Sequence, residues 1–184
     1  MKNSIPKSKR GVTPKAGRRA SRRTSAAVID LVPALVQIRS ILVPIDFSET
    51  SEKALRYAVR MAEQFGSKIT LLNVVQPVAT PDFAYYPLML ETDKARDAAK
   101  ARLDTLCRKL IVPSRLIERT VVRYGTPFTE ITAAAKSLKV DLIILTTHGY
   151  TGLKHVLMGS TAERVVRHAP CPVLTVREKE HEFV

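Results

Sequence analysis

The chain has 184 residues, 45% of them apolar, and a formal net charge of +13 at pH 7. This length suits one well-cored domain and is short for two. The longest apolar runs match strands and fall far short of the ~20 residues of a membrane-spanning helix, which argues against membrane insertion. The two cysteines, Cys107 and Cys171, form no zinc-binding spacing and are typical of reduced thiols in a cytoplasmic protein.

The positive charge is concentrated at the start of the chain. Residues 1–40 contain ten Lys or Arg against one acid, Asp30, which gives +9 and leaves +4 for the remainder. We therefore expect residues 1–39 to be a basic, largely disordered extension. It could make weak nucleic-acid contacts, bind an anionic membrane surface, act as an organelle transit peptide or reflect a start codon placed too early. We favour a solvated tail.

The domain is predicted to occupy residues 40–177, with a charged tail at 178–184. It begins with a short apolar strand, Ile41–Ile45, directly followed by the acid Asp46. Pro44 cannot donate a hydrogen bond in a sheet, which predicts a bulge near the end of this strand.

A helix and a second strand follow. Ser48 or Thr50 is expected to cap the helix at its start, and Gly66 is expected to end it. The run Lys68–Val75 predicts the second strand.

The middle of the chain contains a proline-rich and aromatic segment, Gln76–Leu90, which we interpret as a loop. This loop either covers a ligand or packs its aromatic side chains on the next helix. A long helix is predicted at Glu91–Leu110 and a third strand at Leu116–Arg123. Thr126-Pro127 then predicts the start of another helix, with Thr126 as its cap.

The most informative stretch begins with a fourth strand, which starts at Val140. This strand is followed directly by Thr147-His148-Gly149. Nine residues later, Gly159 precedes a helix that starts with Ser160-Thr161. Backbone N–H groups at glycine loops and helix N-termini bind anions, so this spacing predicts a phosphate clamp. The alternative is a capping box between Ser160 and Glu163, which needs no ligand.

The last strand is predicted at Val173–Val176, and the prolines before it indicate a position near a sheet edge. Five strands alternating with four helices predict a doubly wound α/β domain with a mainly parallel sheet and helices on both faces. In such sheets ligands bind beyond the carboxyl ends of the strands, where the strand order reverses. Asp46 and Gly149 both follow strand ends and would share one crevice there. No P-loop sequence is present.

These motifs together resemble the universal stress protein family, over about Ser40–Arg177. The resemblance rests on the Pro-x-Asp-x-Ser run at Pro44, on Thr147-His148-Gly149 with Gly159-Ser160 nine residues later, and on Ala169-Pro170-Cys171-Pro172 before the last strand. It implies the strand order 3-2-1-4-5. It also implies homodimers joined through the last strand and, in the ATP-binding branch, a nucleotide in the crevice.

The resemblance also implies roles for individual residues. Asp46 would lie near the nucleotide and bind its Mg²⁺, Val74 would offer backbone contacts to adenine, and the two glycine loops would hold the phosphates. The residues expected at the ATP site are Pro44, Asp46, Val74, Thr146, His148, Gly149, Gly159, Ser160 and Thr161. The branch pattern has glycine where this chain has Thr146. Its Cβ would crowd the ribose, or its hydroxyl would donate to it.

We therefore expect a cytoplasmic, dimeric stress-response protein that binds ATP with Mg²⁺ and regulates an unspecified protein partner. One carboxylate is a sparse metal site, and His148 beside a turn glycine is more typical of a structural hydrogen bond than of a catalytic base. Slow ATP hydrolysis is thus the most that is expected of it as an enzyme. The alternative is a dimeric adaptor of the same fold that binds no nucleotide.

Overall fold

A computed structural model describes residues 37–76, 85–147, 158–177, 179 and 181, and the side chains of 85–92 are excluded from that description. All of these residues belong to one unit, Val36–Val184. The predicted N-terminal extension therefore lies almost wholly outside the described residues. Within the described ranges, no helix combines the length and apolar character needed to cross a membrane.

The described chain alternates strands with helices, as predicted. The strands are β1 Ser40–Pro44, β2 Lys68–Val75, β3 Ile117–Tyr124, β4 Leu142–Thr146 and β5 Val173–Val176. The helices are α1 Glu49–Phe65, α2 Tyr85–Lys109, α3 Pro127–Leu138 and α4 Ser160–His168, with a short 3-10 turn at Ser114–Leu116.

The five strands form one parallel sheet in the order β3-β2-β1-β4-β5. This confirms the predicted doubly wound α/β fold and its strand order, and it places β5 at an edge. β1 lies at the centre and pairs with β2 on one side and β4 on the other. The strand order therefore reverses between β1 and β4, so the carboxyl ends of these two strands flank the crevice.

Both faces of the sheet are covered, which is why its strands are apolar at successive positions rather than at alternate ones. Ile41 and Val43 of β1 pack into one core cluster with α1 and α2. Leu42, between them, faces the other cluster, which α3 and α4 complete. Residues at all three positions are fully buried.

The bulge predicted at Pro44 is wrong. Pro44 is the last residue of β1 and pairs in regular register with Leu72. Over the described residues, β1 pairs with β4 only at Ile41 and Leu42. Because Pro44 lies beyond these pairs, its missing N–H interrupts no hydrogen bond between β1 and β4. The irregularity in the sheet lies instead between β2 and β3, at Ile69 and Thr70.

The predicted loop Gln76–Leu90 is also too long, because α2 begins at Tyr85 rather than at Glu91. Pro87 falls in the first turn of this helix, where a missing N–H costs no intrahelical hydrogen bond, so proline composition was a misleading signal there. Residues 77–84 of the segment lie outside the described ranges. Whether this segment covers a ligand or packs on α2 thus stays open as the two alternatives predicted from the sequence.

Candidate functional site

A crevice of about 230 Å³ opens at the carboxyl ends of β1, β2 and β4. Seven of the nine predicted site residues line it: Pro44, Asp46, Val74, Thr146, Gly159, Ser160 and Thr161. The other two, His148 and Gly149, lie outside the described residues. The sequence pattern therefore located one crevice from motifs that are more than 100 residues apart in the chain.

Nine further residues line the crevice and were not among the predicted site residues. Most are apolar or small side chains that form its walls: Ile45, Ser51, Leu72, Gln76, Pro127, Ile131, Leu145, Thr147 and Ala162. For two of them, Leu72 and Gln76, the sequence offers a signal. Residues two apart along a strand lie on the same face, so these two share a face with Val74. Ligand pockets commonly combine such apolar walls with a few placed polar groups.

The turn after β1 fixes the orientation of the Asp46 carboxylate. Its Oδ1 accepts hydrogen bonds from the backbone N–H of Ser48, at 3.0 Å, and from the Ser48 hydroxyl, at 2.5 Å. The Ser48 hydroxyl oxygen also accepts from the N–H of Ser51, 3.1 Å away, and thereby caps α1. Ser48 is thus the helix cap, as predicted, and it holds Asp46 at the N-terminus of α1.

α4 starts at Ser160 directly after Gly159, as predicted, and the alternative capping box between Ser160 and Glu163 is not formed. The N-cap residue is Gly159 and it makes no side-chain cap bond, so Ser160 is the first residue of the helix. The first intrahelical bond runs from the N–H of Glu163 to the carbonyl of Gly159, at 3.0 Å. The N–H groups of Ser160, Thr161 and Ala162 therefore precede the hydrogen-bond ladder of the helix.

One predicted phosphate donor is already used within the protein. The N–H of Gly159 donates to the carbonyl of Thr147, 2.6 Å away. This bond joins the residue after β4 to the residue before α4. The anion-binding capacity at this point therefore lies with the N–H groups that follow Gly159 and with the positive end of the α4 dipole.

Thr146 forms part of the wall without filling the crevice. It is the last residue of β4, pairs with Val176 of β5, and is half-buried. The volume of about 230 Å³ is measured with its side chain in place. Thr146 thus lines the crevice without closing it.

The described part of the lining contains one carboxylate, Asp46, and no lysine, arginine or histidine. Over the same residues, no cluster of three or more His, Cys, Asp or Glu forms a preformed metal site. A single carboxylate fits Mg²⁺, which keeps several waters and takes its other ligands from phosphate oxygens. The donor set thus fits a metal-nucleotide complex better than a bare metal ion.

The two cysteines are unpaired thiols and lie away from the crevice lining. Partial burial raises the pKa of Cys107, with Asp104 adding to the rise and Arg108 opposing it. Partial burial also raises the pKa of Cys171, to which the charge of Asp141 contributes. Raised pKa values disfavour the thiolate, so neither residue has the character of a nucleophile.

Comparison with known proteins identifies relatives over this same part of the chain. The model of the universal stress protein family matches residues 37–177. Universal stress protein MJ0531 of Methanocaldococcus jannaschii is 32% identical over 149 residues, which cover 78% of this chain and 85% of that protein. Universal stress protein MJ0577 of the same organism is 29% identical over 159 residues, covering 78% and 98%.

Solved structures agree with these relatives. The structure of MJ0577 has a TM-score of 0.67 at 28% identity and covers 79% of this chain and all of that one. Universal stress protein UspA from Lactobacillus plantarum has a TM-score of 0.62 at 31% identity, covering 77% and 99%. A universal stress protein in complex with cAMP has a TM-score of 0.51 at 20% identity, covering 76% and 97%, which is a likeness of fold alone.

Proposed function

Since the chain belongs to the universal stress protein family, we propose that it binds ATP together with Mg²⁺ in the crevice at the carboxyl ends of its strands. One observation carries this proposal: Asp46 and the first residues of α4 line the same crevice. Negative phosphates suit the helix N-terminus, and the carboxylate suits the metal ion that accompanies them.

Two groups of lining residues suit different parts of a nucleotide. Leu72, Val74 and Ile131 supply an apolar wall for a base, whereas Ser160 and Thr161 offer N–H and hydroxyl donors for phosphates. Asp46 would bind Mg²⁺, which would neutralise phosphate charge when bound. The cAMP complex of a universal stress protein with this fold supports an adenine nucleotide as the ligand class, with the likeness limited to the fold.

The expected outcome of binding is regulation rather than fast catalysis. Rapid phosphoryl transfer needs a positioned base and cationic groups around the γ-phosphate. The described lining residues include neither lysine, arginine nor histidine. We therefore propose that any ATP hydrolysis is slow and that the nucleotide changes the surface presented to a protein partner in the cytoplasm.

We also propose a homodimer joined through β5. This strand forms a sheet edge, and among the described strands it pairs only with β4, which leaves the other side of its backbone for a second copy. Three of its four residues, Val173, Leu174 and Thr175, are only half-buried. Light scattering on the purified protein should give about twice the chain mass of 20.4 kDa. A mass equal to one chain at micromolar concentration would contradict this proposal.

The proposed ligand is tested by thermal melting with and without Mg-ATP. A ligand present at 100 times its Kd adds about 2.7 kcal/mol to the free energy of unfolding, so a clear rise in melting temperature is expected. Asp46→Asn, which keeps the shape of the side chain but removes its charge, should reduce the rise seen with Mg-ATP. No rise at millimolar Mg-ATP would contradict the proposal.

Thr146 favours one alternative function. It occupies the position where the ATP-binding branch has glycine, and it lines the crevice. A dimeric adaptor that binds no nucleotide would keep its function after Ser160→Ala and would release no nucleotide when denatured. Mass spectrometry of small molecules released from protein purified without added nucleotide separates the two functions.

A further inference from the structure

Phe47, which follows Asp46 directly, has an unusual backbone conformation. Its φ is +64°, in the left-handed region, which residues other than glycine, asparagine and aspartate rarely adopt. No glycine relieves this turn. A bulky aromatic residue in such a conformation persists only where surrounding contacts hold it there.

The left-handed residue brings Ser48 back towards Asp46. It lets the N–H and the hydroxyl of Ser48 both donate to Oδ1 of Asp46. The same hydroxyl oxygen caps α1 through the N–H of Ser51. The conformation of Phe47 is therefore part of the turn in which Ser48 holds the Asp46 carboxylate.

The contact that holds Phe47 comes from a different helix. The guanidinium carbon of Arg102, on α2, lies 3.8 Å from the centroid of the Phe47 ring. The ring also packs against the core cluster under α1 and α2. A cation within about 6 Å of the centroid of an aromatic ring is attracted to the face of that ring. The distance from the Arg102 guanidinium carbon to the Phe47 ring is shorter than the 5.6 Å between Arg96 and the Tyr124 ring.

We propose that Arg102 is a positioning residue for the nucleotide-bound metal: by stacking on Phe47 it keeps the Asp46–Ser48 turn in place and the carboxylate directed into the crevice. This inference rests on the proposed binding of Mg-ATP. Arg102 should therefore affect the part of the ATP affinity that depends on Mg²⁺. It should not affect the contacts that adenine or the phosphates make with the rest of the crevice.

The test compares ATP affinity in the presence of Mg²⁺ with ATP affinity in EDTA. Arg102→Gln should weaken Mg-ATP binding about fivefold, because it removes a cation–π contact. It should leave the binding of metal-free ATP unchanged. Arg102→Lys, which keeps a cation, should restore part of the loss. Phe47→Leu, which removes the aromatic face, should match Arg102→Gln, and the double variant should lose no more than either single one.

Arg108→Gln is the matched control, because Arg108 lies on the same helix and bonds to Thr105 rather than to Phe47. It should leave both affinities unchanged. If Arg102→Gln weakens binding equally with and without Mg²⁺, Arg102 contacts the nucleotide itself and the positioning role is wrong. If it changes neither affinity, the proposal is also overturned.

A measurement without ligand separates this inference from the proposed function. The Ser48 amide should exchange its hydrogen more quickly in Arg102→Gln and Phe47→Leu than in the parent chain or Arg108→Gln. If these variants exchange faster but the parent chain binds no ATP, Arg102 and Phe47 hold the Asp46–Ser48 turn and the proposed ligand is wrong. Unchanged exchange would overturn the Arg102 role even if ATP binds.

Discussion

Asn73 on β2 donates a hydrogen bond from Nδ2 to the carbonyl oxygen of Ile45, at 2.7 Å, just beyond the end of β1. The N–H of Ile45 donates in turn to the carbonyl of Leu72, also at 2.7 Å. The residue before Asp46 is thereby tied to β2 by both its backbone groups. Asn73 is 7% exposed, so its amide contributes to the structure rather than to solvation.

Replacing this amide should destabilise the fold. Asn73→Ala leaves the buried carbonyl of Ile45 without this donor, which costs about 1–3 kcal/mol of unfolding free energy. Chemical denaturation measures the change, with exposed Gln76→Ala three residues along as the control. An unfolding free energy equal to that of the parent would show that the hydrogen bond contributes nothing.

Two glycines should respond differently to alanine. At Gly125 φ is +142°, and an added Cβ would lie 3.0 Å from Oε1 and 3.1 Å from Cγ of Glu130. At Gly66, φ is +69° and nothing lies within 4 Å of the added atom. Gly66→Ala should thus cost only the left-handed conformation, roughly 1–2 kcal/mol, and Gly125→Ala should cost more. The reverse order in melting temperature would contradict this account.

Ile111 offers a stabilising substitution. Its φ is +52°, although a β-branched residue disfavours the left-handed region, and its side chain is 86% exposed. Ile111→Asn should raise the unfolding free energy by about 0.5–1 kcal/mol, because asparagine tolerates this conformation and little burial is lost. Ile111→Val, which keeps the branched Cβ, should give no gain. A gain from valine as well would point to another cause.

The sequence predicted those elements whose limits depend on local chemistry. Lys68–Val75 and Val173–Val176 have the predicted bounds, and Gly66 ends α1 in a left-handed conformation as expected. The crevice was predictable because Asp46 follows the end of β1 and Gly159 precedes the N-terminus of α4. These features are readable because each follows from a few neighbouring residues.

The remaining features depend on contacts between distant parts of the chain. The stacking of Arg102 on Phe47 spans 55 positions and has no local signature. Asn73 appears in the sequence as a polar residue flanked by apolar ones, which does not reveal its partner Ile45. The hydrogen bond from the Gly159 N–H to the Thr147 carbonyl also joins two separate motifs, and neither motif reveals it alone.

The cysteines predict a loss of stability at alkaline pH. Burial raises the pKa of Cys107 and Cys171 above 9.0 in the folded chain, so the unfolded chain releases these protons first. The unfolding free energy should therefore fall as pH rises past 9.0. Melting curves at pH 8 and pH 10 measure the fall, which should be smaller in the Cys107→Ala, Cys171→Ala double variant. Equal falls in both proteins would assign it to other groups.

The central claim, that main-chain N–H groups at the start of α4 hold the phosphates, can be tested by removing one of them. Proline is well tolerated as the first residue of a helix, and Gly159 before it has the extended conformation that proline requires, with φ −66° and ψ 150°. Ser160→Pro removes the N–H and the hydroxyl, whereas Ser160→Ala removes only the hydroxyl.

The decisive measurement is calorimetric titration of these two variants with Mg-ATP. A hydrogen bond to a charged group contributes about 1.5–3 kcal/mol, so Ser160→Pro should bind roughly tenfold or more weakly than Ser160→Ala, with no loss in melting temperature. Equal affinities of the two variants for Mg-ATP would contradict the account.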